Sequence, residues 1–593
     1  MTGKKAAFIV CAALVFALML AALELNKNTI FGFVLAAIAF AGFAVLYLKV
    51  LTDHAWYLKM TGWIGWIAVF ALIVVVTWPP IKAVPAVNVK NPEKTEVVAL
   101  SDGKVQGVLT SYGKVEVFTG IPYAKAPVGE LRWKEPQSPD KWDGVRLCDH
   151  FAPMSMQPTN VPIYDSLTQI VGYHDYKISL DDNYIPPVSE DSLYVNVWKP
   201  AGDVSDLPVL VYVHGGSLQT GQPWWQDYRG EELARRGAVV VNMAYRVGVF
   251  GFYADEELAA ESENGTTGNY GLLDQIKALE WVRDNIAFFG GDAKNVTLAG
   301  ESAGAASVSA LCTSPLAAGL FERVFLESST VASTEPPHSF RLFDEAIKSG
   351  AELKSRHNCD TVADLRALDA KDLVSEAYTQ HHITVDGYVL TETPYESYKK
   401  GAHNEKQIMH GYNLEESAAF IIFDQANMKN YESKVRGYFK EYSDEILALY
   451  PAKTDAEAKA YWAEIFGATF FDYPHFCLDR LAVENGIPVY EYIFTKSNGR
   501  LGPWHSGEEI YFYGNVPEKS TLFTPRDSEL EEQAVSYLRS YMNDGDPNVE
   551  GLPEWKQNLS GYDLMHLGET TEMTKEKKAD LYKILDKLTH WGE

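Results

Sequence analysis

The chain has 593 residues, 47% of them hydrophobic, enough to bury a large core. Its net charge of −27 is uneven: residues 1–90 hold seven Lys/Arg against two Asp/Glu, so the remainder carries −32. Such an acidic body repels nucleic acid and excludes it as a partner, while five scattered cysteines without C-x-x-C exclude a disulfide framework.

Three uncharged apolar runs come first: Ala6–Leu23, Thr29–Leu48 and Met60–Trp78. Each is long enough to cross a bilayer. Trp63, Trp66, Trp78, Tyr47 and Tyr57 suit interfacial belts. Lys4 and Lys5 precede the first run, and Lys49 and Lys59 separate the second from the third. This bias predicts a cytoplasmic N-terminus and an extracytoplasmic body, although Lys82, Lys90 and Lys94 pull the other way. Pro79-Pro80 ends the third run. Residues 1–80 therefore read as a three-helix membrane anchor, 81–94 as an extended linker, and 95–593 as one globular domain.

In that domain Val97–Leu100, Val105–Leu109 and Val115–Phe118 predict short strands. Residues 150–190, rich in Pro, Asp and Tyr, predict irregular chain. Leu207–Val213 and Ala238–Met243 are continuous apolar runs that suit parallel strands buried on both faces. Gly230–Arg236 and Leu272–Asn285 predict helices. Arg323–Glu327, Gln407–Gly411 and Val489–Phe494 predict further strands. This alternation predicts an α/β fold with a mostly parallel sheet. The charged helical stretches 340–400 and 413–470 predict a cap.

Gly300-Glu-Ser-Ala-Gly304 fits G-x-S-x-G, the strand-to-helix turn that presents a nucleophilic serine. Alone the pentapeptide recurs by chance. A serine needs a base, an orienting carboxylate and oxyanion donors. Val213-His-Gly-Gly-Ser217 follows a predicted strand, and the N–H groups of Gly215 and Gly216, with that of Ala303, are the candidate donors. His214 is expected to brace this loop. Ten histidines follow Ser302: His338, His357, His381, His382, His403, His410, His475, His505, His566 and His590. Spacing does not choose among them; the loop Gly502–Gly514, after a predicted strand, favours His505. There is no H-E-x-x-H, His381-His382 lacks matching ligands, and neither metal nor cofactor is expected.

From about residue 95 onward the chain resembles type B carboxylesterases, the group of cholinesterases and bacterial para-nitrobenzyl esterases. Phe289–Gly304 is similar to that family's serine signature, and Glu190-Asp-Ser-Leu-Tyr-Val-Asn-Val197 to its second signature. Gly120-Ile-Pro-Tyr-Ala, Asn269–Gln275 and Gly545-Asp-Pro-Asn548 are also similar to family segments. The resemblance implies an α/β-hydrolase fold with helical cap insertions and a Ser302–Glu416–His505 triad. Glu416 matches the family's acid in Gly411-Tyr-Asn-Leu-Glu-Glu416, while Glu415 beside it is expected to point elsewhere. Glu301 is implied to shape the field at the nucleophile, and Ser328 to hydrogen-bond the triad acid. Ser506, Glu509 and Tyr513 stand where Gly, Ile and Phe are usual. Ser192 stands where the second signature has a cysteine, and its upstream partner region Phe151–Met156 has none, so a fold without disulfides is expected.

The implied activity is hydrolysis of a small-molecule carboxylic ester through an acyl-enzyme on Ser302. An amidase or peptidase using the same triad, or a non-catalytic binding protein on this fold, are the competing readings. Trp224 and Trp225 read either as gorge lining or as packing. Asn264, Asn295 and Asn558 head glycosylation sequons.

Overall fold

A computed structural model describes residues 3–111, 113–172, 183–334, 340–497, 501–517 and 523–592. By packing, the chain divides into residues 1–83 with 159–187, and residues 84–158 with 188–593.

The first unit holds three long apolar helices, α1 (Gly3–Leu25), α2 (Ile30–Lys49) and α3 (Trp56–Val76). All three are long and apolar enough to cross a membrane. Aromatic rings knit them: Phe8 stacks on Tyr47 at 3.7 Å and Phe43 on Trp66 at 4.7 Å. Gly32 lets α2 approach α3, because a Cβ there would lie 2.7 Å from Thr77 Oγ1. The stretch predicted to be irregular supplies a fourth helix, α4 (Pro162–Gly172). Its Ser166 hydroxyl donates to the carbonyl of Leu25 at 2.8 Å. Pro at the first helical position explains the start, since the missing N–H has no helical partner to lose.

The second unit is built on a sheet of 13 strands among the described residues. They are β1 (Lys94–Ala99), β2 (Lys104–Leu109), β3 (Val115–Pro122), β4 (Val145–Leu147), β5 (Tyr194–Pro200), β6 (Leu207–Val213), β7 (Val239–Met243), β8 (Gly291–Glu301), β9 (Arg323–Glu327), β10 (Gln407–Asn413), β11 (Val489–Phe494), β12 (Asp563–Leu567) and β13 (Thr571–Lys575). The order is β1-β2-β3-β5-β7-β6-β8-β9-β10-β11-β12-β13, with β4 beside β2. From β7 to β12 every neighbouring pair is parallel. Leu210, Val211, Tyr212, Val240 and Val241 are wholly buried, as helices on both faces of a parallel sheet require. Two of these helices are α5 (Tyr270–Asn285) and α6 (Ala303–Cys312). Beyond β10, α7 (Asp455–Gly467) and α8 (Tyr473–Asn485) are joined by a π-helical turn over Ala468–Asp472. This is the α/β-hydrolase architecture, and the candidate site residues lie at the C-terminal ends of its parallel strands, where ligands bind in open α/β sheets.

All five cysteines are free. Where the resemblance puts a half-cystine, Ser192 Oγ lies 3.0 Å from Ser155 Oγ, so two hydroxyls hold the loop base together.

Candidate active site

Ser302 sits between β8 and α6 at φ 54°, ψ −125°, a backbone region costing a non-glycine residue about 1–3 kcal/mol. Its neighbours explain how the turn closes. A Cβ on Gly300 would lie 2.6 Å from the Gly304 carbonyl carbon, and one on Gly304 only 2.0 Å from the Val213 oxygen. The Ser302 N–H donates to the Glu327 carbonyl at 2.8 Å, pinning the turn to β9.

The serine hydroxyl meets His505 Nε2 at 2.8 Å, and His505 Nδ1 meets Glu416 Oε2 at 2.6 Å. A carboxylate accepts, so Nδ1 carries the proton and Nε2 is left to receive the Ser302 hydrogen. Glu416, 1% exposed, follows β10; its Oε1 accepts the Asn413 N–H at 2.7 Å. Adjacent Glu415 is exposed. Burial alone drives the His505 imidazole down, yet the carboxylates of Glu301 and Glu416 outweigh it and raise its pKa to about 9.

The loop after β6 approaches the serine closely. A Cβ on Gly215 would lie 3.1 Å from Ser302 Cβ, and one on Gly216, at φ 106°, only 2.4 Å from the Thr220 oxygen. Among the described residues, no backbone acceptor engages the N–H of Gly215, Gly216 or Ala303. Three donors of this kind suit an oxyanion. His214 Nδ1 donates to the Gly215 carbonyl at 2.9 Å, and its ring stacks on Tyr245. Burial brings this imidazole down to about 4, so it is neutral at pH 7.

Glu301 Oε1 lies 3.2 Å from His505 Nε2 and accepts the Ser506 hydroxyl at 2.6 Å. Burial raises the Glu301 pKa. Ser328 departs from expectation: its hydroxyl donates to Glu508 Oε1 at 2.8 Å, not to Glu416. The reason is local. Asn413 stands between them, its backbone serving Glu416 and its amide donating to Ser328 Oγ and to Glu508. Burial, then the charges of Glu416 and Glu301, push the Glu508 carboxyl up to about 8. The two other unusual residues of this segment are also satisfied. Glu509 accepts from Tyr212, and Tyr513 donates to Glu327 Oε1 at 2.8 Å.

Sequence reasoning missed the aromatic wall on His505. Phe420 lies 5.0 Å from its ring and Phe471 4.9 Å, the latter carried on the π-helical turn. Trp224 is buried against Phe151, whereas Trp225 is exposed. Of the other histidines, His338 lies outside the described residues. His410 and His475 form a separate buried cluster with Asp479, Glu491 and Asn558. One ligand atom each from His410, Asp479 and Glu491 fall within 4.8 Å of one another. Hydrogen bonds from Asn558 to both carboxylates already engage that set. The same burial closes the Asn558 sequon to a glycan.

The carboxylesterase family model matches residues 94–584. The fumonisin B1 esterase of Sphingopyxis macrogoltabida is 33% identical over 71% of this chain and 75% of its own length. Carboxylesterase 1C of Mus musculus is 29% identical over 82% and 91%. Among solved structures, a PNB esterase superposes with TM-score 0.69 at 26% identity, covering 83% of this chain and 99% of its own. A carboxylesterase of Geobacillus stearothermophilus gives 0.70 at 28%, covering 82% and 99%.

Proposed function

Because this chain belongs to the carboxylesterase family and is a carboxylic ester hydrolase, we propose that it works through a Ser302–His505–Glu416 triad, tethered to a membrane by its N-terminal helices. The observation that carries the triad is the unbroken hydrogen-bond line from Ser302 Oγ through both His505 nitrogens to Glu416. Ser302 Oγ attacks the ester carbonyl as His505 Nε2 takes its proton. Glu416 holds the Nδ1–H tautomer and stabilises the imidazolium. Gly215, Gly216 and Ala303 donate to the oxyanion, each worth roughly 3 kcal/mol of barrier. His505 passes its proton to the departing alcohol. It then activates a water that attacks the acyl-enzyme and frees the acid.

The membrane reading rests on the length and apolarity of α1, α2 and α3. The catalytic body lies on the extracytoplasmic side, by the lysine bias of the first two links. Treatment of intact cells with protease should then degrade the body, and protection until lysis would reverse the orientation. For the triad, a fluorophosphonate probe and a panel of p-nitrophenyl esters are the test. Ser302→Ala should lose both labelling and hydrolysis while folding normally; full activity in that variant would remove Ser302 from the mechanism.

A further inference from the structure

The helix α4 is 11 residues long, about 16 Å, and cannot cross a hydrocarbon core of about 30 Å. Its depth is nevertheless fixed. Ser166 bonds the carbonyl of Leu25, the last residue of α1. Asn183, farther along the same stretch, donates to the Asn28 carbonyl at 2.6 Å, in the turn between α1 and α2. Asn28 donates in turn to the Val74 carbonyl and to Thr77 Oγ1, both at 2.9 Å, at the end of α3. Ile81 and Ile185 pair as a short bridge just beyond. The stretch is thus bound to the end of the bundle where α1 and α3 finish and α2 begins. That is the level at which a spanning bundle meets lipid headgroups.

The helix turns Pro162 and Ser166 inward and exposes Tyr164 and Leu167, with Val161 exposed just before its first residue and Asp165 and Thr168 exposed beside them. Val161, Tyr164 and Leu167 are 53%, 55% and 46% exposed. Trp78 and Ile81 are exposed at the same end. Apolar side chains with Tyr and Trp among them are the composition of a membrane–water interface. Phe31, at the start of α2 and so at the same end of the bundle, is 70% exposed.

We propose that α4 is a fourth membrane contact, lying in the plane of the bilayer at headgroup depth with Val161, Tyr164 and Leu167 in the acyl boundary. This rests on the reading of α1, α2 and α3 as spans. The partner is the lipid of the leaflet at that end of the bundle.

The test places p-benzoylphenylalanine singly at Tyr164, Leu167, Phe31 and Tyr378 in the full chain, reconstituted in phosphatidylcholine vesicles and irradiated. Tyr378 is an exposed residue of the other unit. Mass spectrometry should find phosphatidylcholine adducts at 164 and 167 with yields of the same order as at 31, and background at 378. Adducts at 31 without adducts at 164 and 167 would overturn the proposal and leave the spans standing. Chain-to-chain adducts from 164 would also overturn it, in favour of a second copy covering this face. Absence of adducts at 31 would bring down the spanning reading itself, and the proposal with it.

Discussion

The Ser506 hydroxyl donates to Glu301 Oε1, the same oxygen that stands 3.2 Å from His505 Nε2. Ser506 holds φ 70°, a left-handed conformation that the glycine usual at this position adopts freely. The hydroxyl favours the Glu301 anion, and that anion raises the His505 pKa. Ser506→Gly should therefore raise the Glu301 pKa further and move the rise of kcat/KM with pH to lower pH. Ser506→Ala should shift the profile equally while keeping the backbone strain, so its melting temperature should fall below that of the glycine variant.

The proposed triad sets the expected pH dependence of the parent enzyme. As the proposed base, His505 acts only when neutral, so kcat/KM should climb through the alkaline range with a midpoint toward 9. The sign for stability is opposite. The pKa is raised on folding, so the imidazolium–carboxylate interaction stabilises fully below about pH 6.5 and is lost as pH rises through about 9. Glu416→Gln should lower the kinetic midpoint and reduce kcat by roughly 10⁴, through loss of the Nδ1–H tautomer. An unchanged midpoint in that variant would show that Glu416 does not set the pKa.

Ser302 adopts its strained φ and ψ without a glycine's freedom. Ser302→Gly should raise stability by about 1–3 kcal/mol in urea unfolding while abolishing hydrolysis. Ser302→Ala keeps the strain and should leave stability near the parent. Equal stabilities would mean that the turn carries no strain.

Gly304→Ala drives a Cβ to 2.0 Å from the Val213 oxygen and should yield an inactive or unfolded protein. Gly437, in the helix Tyr431–Phe439, has open space around its Cβ position. Gly437→Ala should be active and more stable by up to about 1 kcal/mol. The pair separates a close backbone approach from mere helix propensity, read by thermal melting.

The Ser155–Ser192 hydrogen bond contributes about 1 kcal/mol, whereas a disulfide typically contributes about 2–4 kcal/mol. The double variant Ser155→Cys/Ser192→Cys should oxidise to a single disulfide and raise the melting temperature, with the gain lost in reductant. A reduced pair that resists oxidation would show that the two backbones sit too far apart.

The central strands were legible because Leu207–Val213 and the Val324–Leu326 centre of β9 are buried on both faces, and burial of that kind writes an unbroken apolar run. The nucleophile turn was legible because its glycines have no room for a Cβ. His505 and Glu416 were not selected by spacing, since 89 residues separate them and only the fold brings them within 2.6 Å. The glycine-containing loop after a predicted strand favoured His505, and the family resemblance named Glu416 and agreed on His505. The partner of Ser328 was misjudged because the choice between two neighbouring carboxylates depends on where Asn413 stands. The helix α4 was missed because the Pro, Asp and Tyr content of 150–190 outweighed a short helical period, Ile163, Leu167 and Ile170, confined to 11 residues.

The pairing of Leu25 with Ser166 and of Asn28 with Asn183 has a consequence for biosynthesis. The three apolar helices leave the ribosome first, but Ser166 and Asn183 are encoded 141 and 155 residues after the carbonyls they engage, beyond β1 to β4. The bundle cannot reach its final form until translation has passed residue 183. A nascent chain halted at residue 150 would carry the three helices with the Leu25 and Asn28 carbonyls lacking these partners. Completion of the helical unit thus waits on synthesis of the first strands of the hydrolase.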